Sequence, residues 1–371
     1  MKQKYLVFGK VIELNTIDSR EGKLLHNELS VYPLATQGPV DLQINYVLPV
    51  KSGDVIGRNP STHSLRNDGF DFTMGPVTIS YWFEQKDITR IDFSIKRSST
   101  LMSTLNKLMN IQFTNHKEAI GQWFHEFVIV PLGFVLDGRA LLHSSAVMTP
   151  ERKAILFGGT GGVGKTSLEI ELCKHQDCSF LTDDISFVSD DGDIFPNLAY
   201  PKIYGYNIKG DPKTRKEVFK GKGVINRFFF WLHSLRGDQY VRRRMSPAVF
   251  YGKVQNEKVS IQSYLILSKM DVDRIELKPL EVDKALNLSQ KVIEREYQTF
   301  IDHLVWHDYN SILADKEPII SEKKLLSKNQ TILQSALNKI DNIYLVKIPL
   351  HLPHAEFKSQ MIQVLKDHKI L

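Results

Sequence analysis

The feature that most constrains the fold of this chain is a glycine-rich stretch, Gly159-Thr160-Gly161-Gly162-Val163-Gly164-Lys165-Thr166. It matches the phosphate-loop pattern G-x-x-x-x-G-K-[ST], and it stands between an apolar segment at 153–157 and a helical pattern from 165 to about 175. Glycines allow successive backbone N–H groups to point into one concavity, and the helix N-terminus adds partial positive charge. The sequence therefore predicts an α/β layer that holds a polyphosphate at this loop.

Each part of the loop has a predicted task. Lys165 would reach the β- and γ-phosphates of a nucleoside triphosphate, and the Thr166 hydroxyl would ligate the Mg²⁺ that bridges them. The predicted cofactors are ATP, or another nucleoside triphosphate, and Mg²⁺. The residues predicted to contact the nucleotide are Gly159, Thr160, Gly161, Gly162, Val163, Gly164, Lys165, Thr166 and Ser167. Nucleotide binding alone does not specify a reaction.

Two adjacent carboxylates, Asp183 and Asp184, follow within an apolar segment that predicts a strand over 179–188. Neighbouring side chains on a strand point to opposite faces, so the two carboxylates can differ in role. In phosphoryl transfer to a hydroxyl, one would hold the metal or its water and the other would accept the proton. We predict both as catalytic and Asp183 as a metal ligand; the alternative is a solvated turn pair.

A histidine lies on the predicted strand 140–148, just before the strand of the loop. His143 stands among apolar residues, which is typical of a packed core histidine as well as of a site residue. The residues around it do not decide between these alternatives.

The order of these motifs, His143, then the loop, then Thr182-Asp183-Asp184, resembles the catalytic domain of bacterial HPr kinase/phosphorylase and of the wider HPr-kinase-related kinases. The similarity is close over 138–188 and loose over 131–371. It implies a phosphoenolpyruvate-carboxykinase-like P-loop kinase core, an α/β fold with a mixed sheet and flanking helices. It further implies that Lys165 binds phosphate, Thr166 ligates Mg²⁺, Asp184 is the general base and His143 lines the site.

Beyond residue 188 the chain departs from that family. The Glu-Ile-Arg-Gly-Leu-Gly motif is not found, and the nearest stretch, at 201–207, offers no further magnesium-binding glutamate. We therefore expect a related kinase with another acceptor, the hydroxyl of a serine in a peptide or protein or of a small molecule. Two alternatives stay open: a nucleotide-dependent binding or regulatory ATPase, and a bifunctional kinase/phosphorylase.

A basic segment at 201–245 accounts for the chain's positive charge. It holds twelve Lys and Arg against three acidic residues, whereas the whole chain is only +6. An arginine from it could stabilise the transferred phosphoryl group; the candidates are Arg242, Arg243 and Arg244, and we predict Arg243 as the catalytic one. Binding of an anionic substrate, contact with nucleic acid and a solvated basic face are the alternatives. The apolar run 228–232 predicts a buried or partner-facing helix.

The length of 371 residues and the 42% hydrophobic content predict two domains with substantial cores. Short β patterns at 4–14, 40–49, 75–83 and 89–96 predict a β-rich N-terminal domain over 1–98, without a helix. A helical period around Leu101, Leu105, Leu108 and Met109 and a second around Trp123 predict a connector over 99–130, followed by a strand at 127–132. The catalytic domain would cover 131–371, with helices at 282–307, 321–340 and 354–368.

The remaining patterns bear on location and partners. Two cysteines, Cys173 and Cys178, cannot form a disulfide framework, and no segment resembles a signal peptide or a membrane span. We predict a cytoplasmic protein without a membrane partner, do not expect nucleic acid as a partner, and leave a homo-oligomer open. His303 and His307 have metal-ligand spacing on a predicted helix, but no zinc-protease glutamate lies between them, so packing is the favoured interpretation.

Overall fold

The computed structural model describes residues 1–50, 53–85, 87–96, 116–136 and 138–371, and it divides the chain into two compact units. Of the described residues, the first unit holds those up to 96, those from 116 to 139 and those from 294 to 329. The second unit holds 140–293 and 330–371. Residues 131–139 and 294–329, which the sequence grouped with the catalytic domain, thus lie in the first unit.

All but one of the described α-helices lie after residue 115. They are α1 (Arg20–Leu29), α2 (His116–Phe124), α3 (Leu132–Val135), α4 (Lys165–His175), α5 (Pro212–Val218), α6 (Val224–Ser234), α7 (Pro247–Tyr251), α8 (Val282–Glu296), α9 (Gln298–Leu313), α10 (Glu322–Leu337) and α11 (His354–Asp367). A π-helix covers His125–Ile129, and short 3-10 turns cover Gly205–Asn207 and Asp238–Tyr240.

The first unit is built on one sheet, to which its described residues contribute eight strands in the order β1-β2-β3-β8-β7-β6-β5-β4. Strand β3 is parallel to both β2 and β8, and the other neighbours are antiparallel. The strands are β1 (Lys2–Val7), β2 (Lys10–Thr16), β3 (Leu42–Tyr46), β4 (Val55–Arg58), β5 (His63–Arg66), β6 (Gly69–Met74), β7 (Val77–Glu84) and β8 (Asp87–Ile95).

Helix α1 was not expected in this β-rich region, and that prediction was wrong. The Ser19 side chain caps the helix by accepting a hydrogen bond from the Gly22 backbone N–H. Leu25 and Leu29, one helical turn apart, are buried on its inner face. Gly22 lowers intrinsic helix propensity but packs where a Cβ would come within 2.4 Å of the Ile17 carbonyl oxygen, so tertiary contact outweighs propensity.

The segment predicted as a strand at 127–132 is helical instead: it runs through the π-helix and into α3. Phe127, Val128, Ile129, Val130 and Leu132 are all buried. A continuous apolar run fits a buried helix as well as a buried strand, so periodicity could not distinguish them. The helical pattern predicted around residues 101–109 lies outside the described residues.

The second unit contains a mixed sheet, as the α/β prediction required. Its path among the described residues is β12-β10-β11-β17-β14-β13-β9, with β19 beside β17 and β18 beside β19. Strand β17 is parallel to β11 and β19 and antiparallel to β14. The strands are β9 (Ala140–Leu142), β10 (Ser144–Met148), β11 (Ala154–Gly158), β12 (Ser179–Thr182), β13 (Ser186–Val188), β14 (Asp193–Phe195), β17 (Val259–Met270), β18 (Glu276–Pro279) and β19 (Asn342–Pro349). A separate ribbon pairs β15 (Lys202–Tyr204) with β16 (Arg242–Arg244).

The core of this unit fixes the position of the glycine loop. Leu156 on β11, Tyr264 on β17, Ala285 on α8 and Leu333 on α10 belong to one buried apolar cluster. Because Ala154 and Leu156 of β11 pack in this cluster, the loop that follows β11 starts from a well-packed strand. No described helix combines the length and apolar character that crossing a bilayer requires.

Candidate active site

The site forms where two neighbouring chain segments leave the sheet together. The predicted strand 140–148 is broken at His143, and the predicted strand 179–188 is broken between β12 and β13. Since β10 pairs with β12 and β9 pairs with β13, the two breaks lie side by side. His143 and the two aspartates therefore leave their strands at the same place.

The loop has the strand–loop–helix context that the motif predicts, with β11 before it and α4 directly after it. Gly159 and Gly164 have φ values of +118° and +109°, a region that other residues rarely adopt. A Cβ on Gly159 would lie 2.5 Å from the Leu267 carbonyl oxygen, and one on Gly164 would lie 2.4 Å from Phe357 Cε1. These two positions therefore require glycine on both conformational and steric grounds.

Lys165 is buried and folded back over the loop. Its Nζ donates to the carbonyl oxygens of Gly159, at 2.8 Å, and Thr160, at 2.9 Å, and lies 3.0 Å from His143 Nε2. A lysine ammonium can only donate, so His143 Nε2 accepts from it. The structure thus brings together the predicted phosphate ligand and the predicted site histidine.

His143 is neutral in this arrangement. Burial lowers its pKa to about 4, although the nearby Asp184 carboxylate acts in the opposite direction. With Nε2 accepting from Lys165, the proton is assigned to Nδ1, which lies 3.7 Å from Asp184 Oδ1 and has no hydrogen-bond partner. The buried Nδ1–H of His143 therefore faces a nearby carboxylate, whereas the buried rings of His303 and His307 stack on phenylalanines.

Asp183 is buried beside the start of α4. Its Oδ1 accepts hydrogen bonds from Thr166 Oγ1 at 2.9 Å and Ser145 Oγ at 3.2 Å. Burial and the charge of Asp184 raise the pKa of Asp183, and the Thr166 hydrogen bond opposes that rise. Thr166 and Asp183, the predicted metal pair, are in direct contact, and a hydroxyl with a carboxylate is an oxygen set that fits Mg²⁺.

Asp184 does not continue a strand, so the expectation of two carboxylates on opposite faces of one strand was wrong. Its φ of +79° is left-handed, a conformation that aspartate tolerates better than most residues. Its side chain is 43% exposed, and Lys202 Nζ donates to Oδ2 at 3.1 Å. Desolvation opposes ionisation, but the ammonium groups of Lys202 and Lys165 hold the pKa of Asp184 well below its usual range. One aspartate is therefore buried beside Thr166, and the other is ionised and partly open to solvent.

Sequence reasoning missed two charged residues near these aspartates. Lys202, on β15, had a signal: it lies in the stretch 201–207 that stands where the family motif was sought. Glu169 is fully buried on α4, accepts a hydrogen bond from the Tyr251 hydroxyl and has its pKa raised by burial and by Asp183. Nothing in the local pattern distinguishes Glu169 from the exposed polar positions of an amphipathic helix.

Ser167, predicted to contact nucleotide, joins three elements in this structure. Its Oγ lies 2.6 Å from His354 Nε2, at the start of α11, and accepts from Asn207 Nδ2 at 3.0 Å. Tyr206 packs edge-on against His354 and stacks on Tyr204. Ser167 thus links the helix after the loop, through Asn207 and His354, to the aromatic pair at the end of β15.

The structure does not bring Arg243 to the aspartates. In the register of the ribbon, Arg244 pairs with Lys202 and Arg243 pairs with buried Ile203, so Arg243 points to the face opposite Lys202. Its Nε donates to Asn226 Oδ1 at 2.9 Å, and its guanidinium lies over the Phe230 ring. Arg243 therefore anchors α6, whereas Arg244 shares the face of the ribbon that carries Lys202.

Comparison with known proteins adds no assignment: no protein-family model matches this chain, and no curated protein does either.

Proposed function

We propose that this protein is a Mg²⁺-dependent kinase that transfers the γ-phosphoryl group of a nucleoside triphosphate to a hydroxyl. The observation that carries the proposal is the difference in environment between the two aspartates. Asp183 is buried and accepts a hydrogen bond from Thr166, whereas Asp184 is ionised and partly exposed. Two neighbouring carboxylates in such different environments suit one metal ligand and one proton acceptor.

The loop residues would hold the nucleotide. The glycines expose backbone N–H groups at the start of α4, and Lys165 would exchange its carbonyl partners for phosphate oxygens. Thr166 and Asp183 would hold Mg²⁺, which when bound neutralises phosphate charge. His143 would keep Lys165 in position through Nε2.

Asp184 would orient the acceptor and take its proton. The carboxylate is ionised before the acceptor enters, because Lys202 and Lys165 stabilise its charge. Its exposure leaves room for a hydroxyl to donate to it, and the ammonium of Lys202 restrains its orientation. The class of acceptor is a hydroxyl of a peptide, protein or small molecule.

Incubation with γ-labelled ATP, Mg²⁺ and a set of seryl peptides and cell extract tests this proposal. We expect label transfer by the wild type, a loss of about 100-fold or more in Asp184→Asn with nucleotide affinity retained, and no loss in Asp191→Asn, a matched change in an exposed turn. Hydrolysis that requires no acceptor and survives Asp184→Asn would contradict the kinase assignment and favour a regulatory ATPase.

A further inference from the structure

Helix α6 carries an apolar stripe on the outside of the molecule. Ile225, in the first turn of the helix, is 73% exposed, and Leu235, just past its end, is 66% exposed. The exposed apolar residues of this region are Val224, Ile225, Phe228, Trp231, Leu232 and Leu235. Their separations of three, four and seven residues place them on one face of the helix.

The helix is attached to the second unit by its opposite side. Phe230 and His233 are buried, and Asn226 is held by Arg243. The helix is therefore a convex ridge whose inner side is packed and whose apolar face points outward. Contiguous apolar surface of this kind on a folded chain marks an interaction site.

Basic residues flank the stripe along the chain. The exposed basic side chains of α5, α6 and their flanks are Lys213, Arg215, Lys216, Lys220, Arg227 and Arg236. The three carboxylates of the segment have other tasks: Glu217 pairs with Lys174, Asp238 pairs with Lys209, and Asp211 caps α5. The exposed residues that flank the stripe along the chain thus carry net positive charge.

We propose that α6 docks this protein on an anionic lipid surface, with the helix lying in the plane of the interface. Trp, Phe and aliphatic side chains would enter the boundary between headgroups and acyl chains while Lys and Arg contact anionic headgroups. This mode needs no spanning helix. It revises the sequence-based expectation of no membrane partner, which rested on the lack of such a segment.

Charge and shape favour a lipid surface over the other occupants. A second copy placed stripe to stripe would bring the basic flanks of both copies together, which is repulsive. A protein partner would need a groove that matches this ridge, whereas a fluid interface accepts a convex helix without a preformed shape. The proposal does not depend on the kinase assignment.

Co-sedimentation with vesicles tests the proposal. We expect the full chain to bind vesicles of phosphatidylglycerol and phosphatidylcholine, to bind pure phosphatidylcholine weakly, and to lose affinity as salt rises. Ile225→Asp with Leu235→Asp should lower affinity about tenfold or more. Lys220→Gln with Arg236→Gln should lower it about 30-fold.

The matched control is Ile312→Asp with Leu313→Asp, because these two residues are 70% and 56% exposed near the end of α9. That variant should bind vesicles like the wild type. Circular dichroism and thermal unfolding should show that all three double variants fold.

Three results would overturn the proposal. They are equal binding to neutral and anionic vesicles, equal binding by the Ile225→Asp, Leu235→Asp variant, and concentration-dependent self-association or capture of an acidic peptide without vesicle binding.

Discussion

Each unit of this protein buries a histidine with a lowered pKa, but the two histidines have different neighbours. His143, in the second unit, lies between the Lys165 ammonium and the Asp184 carboxylate. His303, in the first unit, stacks on Phe72 with the two ring centroids 3.6 Å apart. Its Nδ1 lies 2.8 Å from His63 Nε2. Burial lowers the pKa of His303 to about 3 and that of His143 to about 4.

The difference teaches which observation identifies a site. His303 and His307 have the four-residue spacing of metal ligands, yet the structure uses it for packing, since His307 stacks on Phe70 one turn from the His303–Phe72 contact. His143 had no such spacing and lies beside the loop. Burial and a lowered histidine pKa are common to both regions, whereas charged partners beside the glycine loop are found only for His143 of these two histidines.

The largest expected effect comes from removing His143. We expect His143→Leu to lower phosphoryl transfer by about 100-fold, because Lys165 loses its acceptor and Asp184 loses its neighbour. His303→Leu should leave transfer unchanged. Transfer of label from γ-labelled ATP measures the activity of both variants, and urea unfolding checks that both fold. Similar losses of activity in the two variants would show that His143 is no more important for transfer than a packed histidine.

A second effect concerns pH. An unfolded histidine titrates near 6.5, whereas burial lowers the pKa of His307 to about 4, so the unfolded state binds the proton first as pH falls. The stability contributed by neutral His307 is complete above pH 6.5 and is lost between 6.5 and about 4, at about 1.4 kcal/mol per pH unit.

His63 and His303 contribute in the same direction. In urea titrations between pH 7 and 5, His307→Leu should therefore reduce the slope of the unfolding free energy against pH, and the reduction should approach about 1.4 kcal/mol per pH unit, one proton, near pH 5. An unchanged slope would show that His307 is charged or exposed in the folded protein.

The smallest expected effect is on stability, and it asks whether Arg243 has a structural or a catalytic role. Arg243→Lys should cost about 1 kcal/mol of stability, because lysine cannot reproduce the guanidinium contacts with Asn226 and Phe230. Its transfer activity should match the wild type. A loss of transfer without loss of stability would return Arg243 to the catalytic set.

The local sequence pattern was enough to predict the glycine loop and the helix that follows it. Residues 159–166 and α4 have the predicted bounds, because glycine conformation and helix periodicity are encoded within a few residues. The mixed α/β sheet also followed from alternating patterns. Asp183 and Asp184 were identified as functional candidates because they are charged residues within an apolar segment. That one carboxylate would be buried and the other partly exposed was not predicted.

What sequence could not supply depends on pairing between distant segments. The break at His143 aligns with the break at Asp184 only because β9 and β10 pair with β13 and β12. Lys202 and Arg244 share one face, and Arg243 the other, because of the β15–β16 register. A shift of one residue would exchange those faces, and no local pattern sets that register.

The central claim is that His143, Lys165, Thr166 and the two aspartates form one magnesium–nucleotide site. Calorimetric titration of ATP, with and without Mg²⁺, into the wild type, Lys165→Ala and the exposed control Lys153→Ala tests it most directly. The account predicts binding that Mg²⁺ strengthens, a loss of about 100-fold in Lys165→Ala, and no loss in Lys153→Ala. Unchanged affinity in Lys165→Ala, or no binding of any nucleoside triphosphate by the wild type, would contradict it.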